Sequence, residues 1–420
     1  MPVGQLSHAS RSWNPGVWRE LPAAQQPAWP DADQLKHVTT RLAASPPLVP
    51  PAEVYALRGA LDRVARGGAF IVQAGDCAET LDGPFLADVA AKVRLVEDMA
   101  REVAQASGLP VVRIGRIAGQ YAKPRSAPTE WAGHQELPSF RGYLVNSPEP
   151  RPASRVPDPL RLLRGYQHAR ATLRMLHLLR LPVPAEAAGV PAVWTSHEAL
   201  VLDYEEPLVR RDPATGGWVL TSTHLPWIGV RTNAATGAHV AFLAGVANPV
   251  GCKVGPAATP AGLVELCRRL DPRRAHGRLV LICRMGADRV RLMLPRLVAA
   301  VAEAGHPVVW LCDPMHGNTR AARDGRKTRH LDAVLAELRG FFAAVRAAGG
   351  WPGGIHLEAT VDDVTECLGG SPPVTERDLA RRYTTVCDPR LNPHQGQEVA
   401  RRVAELCRTR RQGAADERQA

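Results

Sequence analysis

The chain has 420 residues, 45% of them hydrophobic, with 37 prolines, 36 glycines and a formal net charge of +11. That is enough chain for one large soluble domain, and no apolar run reaches the length of a membrane span. The excess of 52 Lys+Arg over 41 Asp+Glu is spread along helical stretches such as residues 161–180 without interleaved aromatics, which reads as a solvated face and excludes a nucleic-acid surface.

In chain order, residues 1–50 form an N-terminal extension holding Trp13, Trp18 and the segment Ala24-Gln25-Gln26-Pro27, with no charged-then-apolar leader pattern. It ends in the Pro-rich residues 44–51, read as a linker. From residue 51 onward, short apolar runs recur, each followed by a polar residue. The runs are 69–72, 111–114, 192–195, 249–252, 279–283, 307–311, 354–357 and 384–387, eight candidate strands separated by helical patterns. This predicts an α/β fold, a (β/α)8 TIM barrel over residues 51–407, with residues 408–420 as a polar tail. The eight cysteines stand singly with no Cys-x-x-Cys pair, which fits reduced thiols in a cytoplasmic protein.

A parallel barrel collects its chemistry at the C-terminal ends of its strands. The residues expected there are Cys77, Arg116 with Lys123, Lys253, Arg284, His316, Glu358 and Asp388. Cys77, His316, Glu358 and Asp388 offer a thiolate, an imidazole and two carboxylates, a donor set that suits Mn²⁺, Fe²⁺, Co²⁺ or Zn²⁺ better than Mg²⁺. Each alone reads as a core thiol or core histidine; four donors at four strand ends read as a divalent-metal site.

Lysine is rare: Lys36, Lys92, Lys123, Lys253 and Lys327 are the five present among 52 cations. A lysine can surrender its proton when buried and an arginine cannot, so Lys253, in a loop of Gly and Pro, is the candidate proton donor. For Lys327 the functional and the drift readings weigh equally. Arg116, Arg125, Arg231 and Arg284 are planar forks for carboxylate and phosphate, so the expected ligand is a small polyanion.

Four segments carry a resemblance. Gln73-Ala74-Gly75-Asp76-Cys77-Ala78-Glu79, residues 116–126 (Arg116 through Ser126), Thr195-Ser196-His197-Glu198-Ala199-Leu200 and Asp313-Pro314-Met315-His316-Gly317-Asn318-Thr319 resemble the class II (plant-type) 3-deoxy-D-arabino-heptulosonate 7-phosphate synthases. The likeness runs from about Trp13 to near Cys407. It implies a (β/α)8 barrel that joins phosphoenolpyruvate to erythrose 4-phosphate at the entry to the shikimate pathway. It implies Cys77, His316, Glu358 and Asp388 as ligands of a divalent metal, Mn²⁺ or Co²⁺ first and Zn²⁺ or Fe²⁺ next, with Lys253, Cys77 and His316 as catalytic groups. It gives phosphoenolpyruvate to Arg116, Arg231, Lys253 and Arg284 with Glu198 nearby, and the aldose phosphate to Lys123, Pro124, Arg125 and Ser126. A homo-oligomer, expected as a dimer, completes the implied partners.

Three departures from the family pattern stand out. Val230 and Asn233 replace a carboxylate and an arginine, Tyr143 replaces an aspartate, and residues 181–189 compress a stretch where regulated members carry extra helices. A short synthase of this kind, without an aromatic-amino-acid site, also fits a secondary-metabolite pathway using an amino or imino analogue of the aldose phosphate. A non-catalytic paralogue is the competing class, and it predicts lost ligands, which the sequence does not show.

Overall fold

The computed structural model describes residues 13–82, 85–132, 134–179 and 191–416. Eight parallel strands close into a barrel: β1 Phe70–Gly75, β2 Val111–Arg116, β3 Trp194–Glu198, β4 Leu225–Ile228, β5 Val250–Val254, β6 Leu279–Cys283, β7 Val309–Cys312 and β8 Pro352–Glu358. Neighbours in sequence are neighbours in the ring, and β8 returns to β1. The registers Gly75↔Arg116 and Gly75↔Glu358 set Arg116 and Glu358 at one level beside β1.

Strands such as Leu279–Cys283 are buried along their whole length, because the barrel interior covers one face and helices cover the other. The lower interior is filled by Ile71, Ile114, Trp194, Leu225, Trp227, Val280, Ile282, Val309 and Leu311. Leu57, Ala60, Leu61 and Val64 of the helix Pro51–Ala65 join that cluster, so this helix plugs the N-terminal mouth of the barrel. It begins with Pro51 at its first position, where a missing N–H costs nothing. The Pro-rich stretch before it, expected as a linker, is tied down instead: Val49 N donates to Thr221 O at 3.0 Å and Tyr166 Oη to Pro46 O at 2.8 Å.

One expected strand is corrected. Residues 384–387 are not in the barrel, and Leu225–Ile228 takes the place. The β-branched run at 384–387 gives its backbone donors to a side chain: Thr384 N and Thr385 N bond Glu366 Oε1 at 3.2 and 2.8 Å, so no strand ladder forms. Leu225–Ile228 was hidden by Pro226, which has no N–H to give and ordinarily argues against a central strand.

The C-terminal helix Pro393–Asp416 packs on the helix Leu86–Ser107 through buried residues including Val399, Ala400 and Val403, and it runs past the boundary expected at Cys407. Among the described residues no helix is long and apolar enough to cross a membrane.

Candidate active site

Glu358, at the end of β8, is fully buried and is the hub of the strand-end cluster. Its Oε1 lies 3.1 Å from Arg116 Nη2, 3.0 Å from Lys123 Nζ and 3.1 Å from His316 Nε2, while Oε2 pairs with Arg329 Nη2 at 2.8 Å. Burial alone would raise its pKa; the charges of His316, Lys123 and Arg329 overcome that and hold it well below the usual carboxylate range. Asp388 is held down in the same way against burial, with Lys123 Nζ 3.0 Å from Oδ2 and Lys327 Nζ 3.0 Å from Oδ1.

His316 completes the group. One of its ring nitrogens and one carboxylate oxygen each of Glu358 and Asp388 lie within 4.8 Å of one another. Nδ1 donates to Asp313 Oδ2 at 2.7 Å, which orients the ring and leaves Nε2, the nitrogen facing Glu358, as the one a metal would take. Asp313 is fully buried; against that burial, His316 and Lys253 keep it ionised well below its ordinary value.

Cys77, on the loop after β1, lies outside that 4.8 Å cluster. Its Sγ is 3.3 Å from Thr385 Oγ1, and a hydrogen bond from the Cys387 thiol, helped by Lys123 and opposed by burial, lowers its pKa to about 7. The thiolate needed for metal binding is therefore accessible near neutral pH.

Above this cluster opens a cavity of about 470 Å³. Lys253, Arg284, His316 and Asp388 line it, as do Lys123, Arg125, Ser126 and Arg231. Lys253 Nζ pairs with Asp313 Oδ2, and burial brings its pKa down to about 8 although Asp313 pulls the other way. Arg284 Nη2 donates to His316 O at 2.5 Å, and Arg231 Nη2 donates to Ser126 Oγ. Glu198 also lines the cavity; burial raises its pKa, partly offset by Lys123 and Lys253, and its Oε1 is buried without a hydrogen-bond partner among the described residues. A Cβ on Gly229 would lie 2.2 Å from that oxygen, so a larger residue there would push the carboxylate out of its place.

The segment residues 13–190 and 183–404 match the model of the class-II DAHP synthetase family. The chain belongs to that family. A phospho-2-dehydro-3-deoxyheptonate aldolase of Streptomyces coelicolor is 41% identical over 93% of this chain and 97% of its own. A Pseudomonas fluorescens protein named "Probable phospho-2-dehydro-3-deoxyheptonate aldolase" is 48% identical over 89% and 92%. The corresponding AroG aldolase of Mycolicibacterium smegmatis is 42% identical over 92% and 93%. A truncated 3-deoxy-D-arabino-heptulosonate 7-phosphate synthase from Thermotoga maritima, 14% identical, aligns over 81% of this chain and 88% of that one with a TM-score of 0.38, too loosely to argue from.

Within this class-II DAHP synthetase, Arg116 is placed differently from the other expected ligand cations. It is buried, with Nε bonded to Asp76 O at 2.9 Å, Nη1 to His356 Nε2 at 2.7 Å and Nη2 to Cys77 O at 3.3 Å, and its guanidinium lies over the Trp227 ring. It does not line the cavity, and its reach is through Glu358. Of the departures, Val230 lines the cavity and Asn233 Nδ2 donates to Lys253 O at 2.9 Å. Tyr143 stacks edge-on to Phe140 in the cluster behind Cys77 and Cys387, away from the cavity. The compressed residues 181–189 lie outside the described residues.

Several residues in the site had no role assigned from sequence. Asp313 lies inside a quoted segment, three residues before His316, and that spacing was its signal. Lys327 was marked by the rarity of lysine. Arg329, Glu366 and Arg390 carried no local signal, because their partners are distant: Arg390 reaches Asp76 Oδ1 at 2.8 Å across 314 positions while also bonding Glu366.

Proposed function

We propose that the chain condenses phosphoenolpyruvate with erythrose 4-phosphate, giving 3-deoxy-D-arabino-heptulosonate 7-phosphate and inorganic phosphate. The observation that carries this reading is the meeting, at one cavity, of the His316, Glu358 and Asp388 cluster with Lys253, Arg284, Arg231 and Arg125. Family membership and the names of the relatives support it.

The donor set fits a divalent metal of the Mn²⁺ or Co²⁺ kind, with Zn²⁺ or Fe²⁺ also matching the ligand types. Three donor atoms converge, and Lys123 Nζ bridges Glu358 and Asp388 at 3.0 Å to each, so the carboxylates are arranged to share a positive charge. His316, Glu358, Asp388 and Cys77 would hold the ion, which would supply Lewis-acid polarisation of the aldehyde oxygen.

The chain's own groups do the remainder. Two phosphorylated anions must lie side by side, and fixed cations turn that encounter into a positioned one. Arg284 and Lys253 bind the enol phosphate and its carboxylate; Arg125 and Ser126, with Lys123 beside them, bind the phosphate of the aldose, and Arg231, expected from sequence at the enol phosphate, is read on the aldose side because its Nη2 donates to Ser126 Oγ. A new bond then forms from C3 of the enol to the aldehyde carbon, water oxygen adds at C2, and phosphate leaves with the electron pair of its C–O bond; of the two protons the water gives up, one leaves with the phosphate and the other replaces the proton that Lys253 delivers. Lys253, mostly protonated at neutral pH and backed by Asp313, donates a proton to the new hydroxyl oxygen.

The test follows loss of the enol absorbance and release of phosphate by dialysed protein, with Mn²⁺ added or withheld. Consumption should require both the metal and erythrose 4-phosphate, with one phosphate released per sugar consumed. Steady consumption with no acceptor present would overturn the reading.

A further inference from the structure

The N-terminal extension reaches the candidate acceptor site through one side chain. Gln25 lies between the helical turn Pro15–Glu20 and the helix Ala32–Ala43, with φ of +62°, a left-handed conformation uncommon outside glycine, Asn and Asp. Its carboxamide takes both backbone polar groups of Arg125: Nε2 donates to Arg125 O at 3.1 Å, and Oε1 accepts from Arg125 N at 2.9 Å. A side chain thus stands in for a paired strand at a loop that has none.

The backbone of the same segment is clamped in turn. Arg141 donates through Nη2 to Gln25 O and through Nη1 to Gln26 O at 3.2 Å. Gln26 ties the extension to the loop after β3, donating to Leu200 O at 2.7 Å and accepting from Leu202 N at 2.9 Å. Strained, non-glycine backbone persists where its surroundings over-determine it, and it collects at functional sites.

Gln25 itself does not line the cavity, but Arg125 and Ser126 do, and Ser126 Oγ is where Arg231 anchors. We propose that Gln25 is a positioning residue for the acceptor: it fixes the Arg125-Ser126 backbone so that the two side chains and Arg231 present one phosphate-binding face. This rests on the reading that these three residues take the aldose phosphate. The extension is then part of the active site rather than an appendage to the barrel.

The test is Gln25→Gly, which removes the carboxamide while relieving the left-handed strain, so folding is not put at risk. Losing two backbone hydrogen bonds at a binding loop should raise KM for erythrose 4-phosphate on the order of tenfold, with KM for phosphoenolpyruvate and kcat unchanged. Amide hydrogen exchange across residues 123–126 should quicken in the variant, a readout independent of turnover. Unchanged KM and exchange would overturn the assignment, and so would parallel loss in kcat and both KM values, which marks a general structural role. Absence of turnover by the wild-type chain strikes the proposed function itself; normal wild-type turnover with an unshifted variant strikes only Gln25.

Discussion

Replacing Asp313 with Asn probes the site at the point where its two halves join. Asp313 Oδ1 accepts from Met315 N at 3.1 Å and His316 N at 3.2 Å, and Oδ2 accepts from His316 Nδ1 at 2.7 Å and from Lys253 Nζ. An Asn is nearly the same shape, but its oxygen must stay with the two backbone N–H groups, since leaving buried donors unpaired costs about 1–3 kcal/mol. The amide NH₂ then faces His316, whose Nδ1 must become the acceptor, and the imidazole proton moves to Nε2. That is the atom 3.1 Å from Glu358 Oε1 and needed for a metal. Loss of an outer partner of a metal-ligating histidine weakens metal binding roughly 10–100-fold, or about 1.4–2.7 kcal/mol.

The same change removes the carboxylate that holds the Lys253 pKa up against burial, so the ammonium is lost at neutral pH and turnover falls further than metal occupancy alone explains. Calorimetric titration of dialysed protein with Mn²⁺, beside a circular-dichroism melt, separates the two effects. Metal affinity unchanged in a folded Asp313→Asn variant would refute the coupling between these residues.

Three further outcomes are expected. Cys77→Ala should weaken Mn²⁺ or Co²⁺ binding and remove most activity while leaving the far-ultraviolet dichroism of the barrel intact; full activity would remove Cys77 from the metal set. The alkaline limb of kcat/KM should fall through a pKa near 8, because burial depresses Lys253 and the protonated form is the one required; a rate flat well above that pH would exclude Lys253 as the proton donor. Trp227→Ala, which removes the ring packed against both His356 and the Arg116 guanidinium, should cost about 3–5 kcal/mol of stability, read as a lowered melting temperature.

The barrel was legible because most strands are buried on both faces and therefore read as unbroken apolar runs, as Leu279–Cys283 does. The failures have physical causes. Leu225–Ile228 is four residues long and carries Pro226, so its strand character comes from its neighbours β3 and β5 rather than from its own composition. The run at 384–387 has strand-like residues, but the buried carboxylate of Glu366 takes the donors a ladder would need. In the site, the metal-type donors and the scarce lysines were visible as residue types at strand ends. Their orientation was not: Arg116 turns inward to Glu358 and His356, and Cys77 turns toward Cys387, through contacts made across hundreds of positions.

The proposed reaction stands or falls on a carbon–carbon bond between the two substrates, which mass spectrometry of the product reads when ¹³C-labelled phosphoenolpyruvate is supplied with unlabelled erythrose 4-phosphate. The expected product is a seven-carbon phosphorylated acid carrying all of the label, formed only with divalent metal present. Labelled pyruvate beside unreacted erythrose 4-phosphate would contradict it, because the enol phosphate would then have been hydrolysed rather than joined.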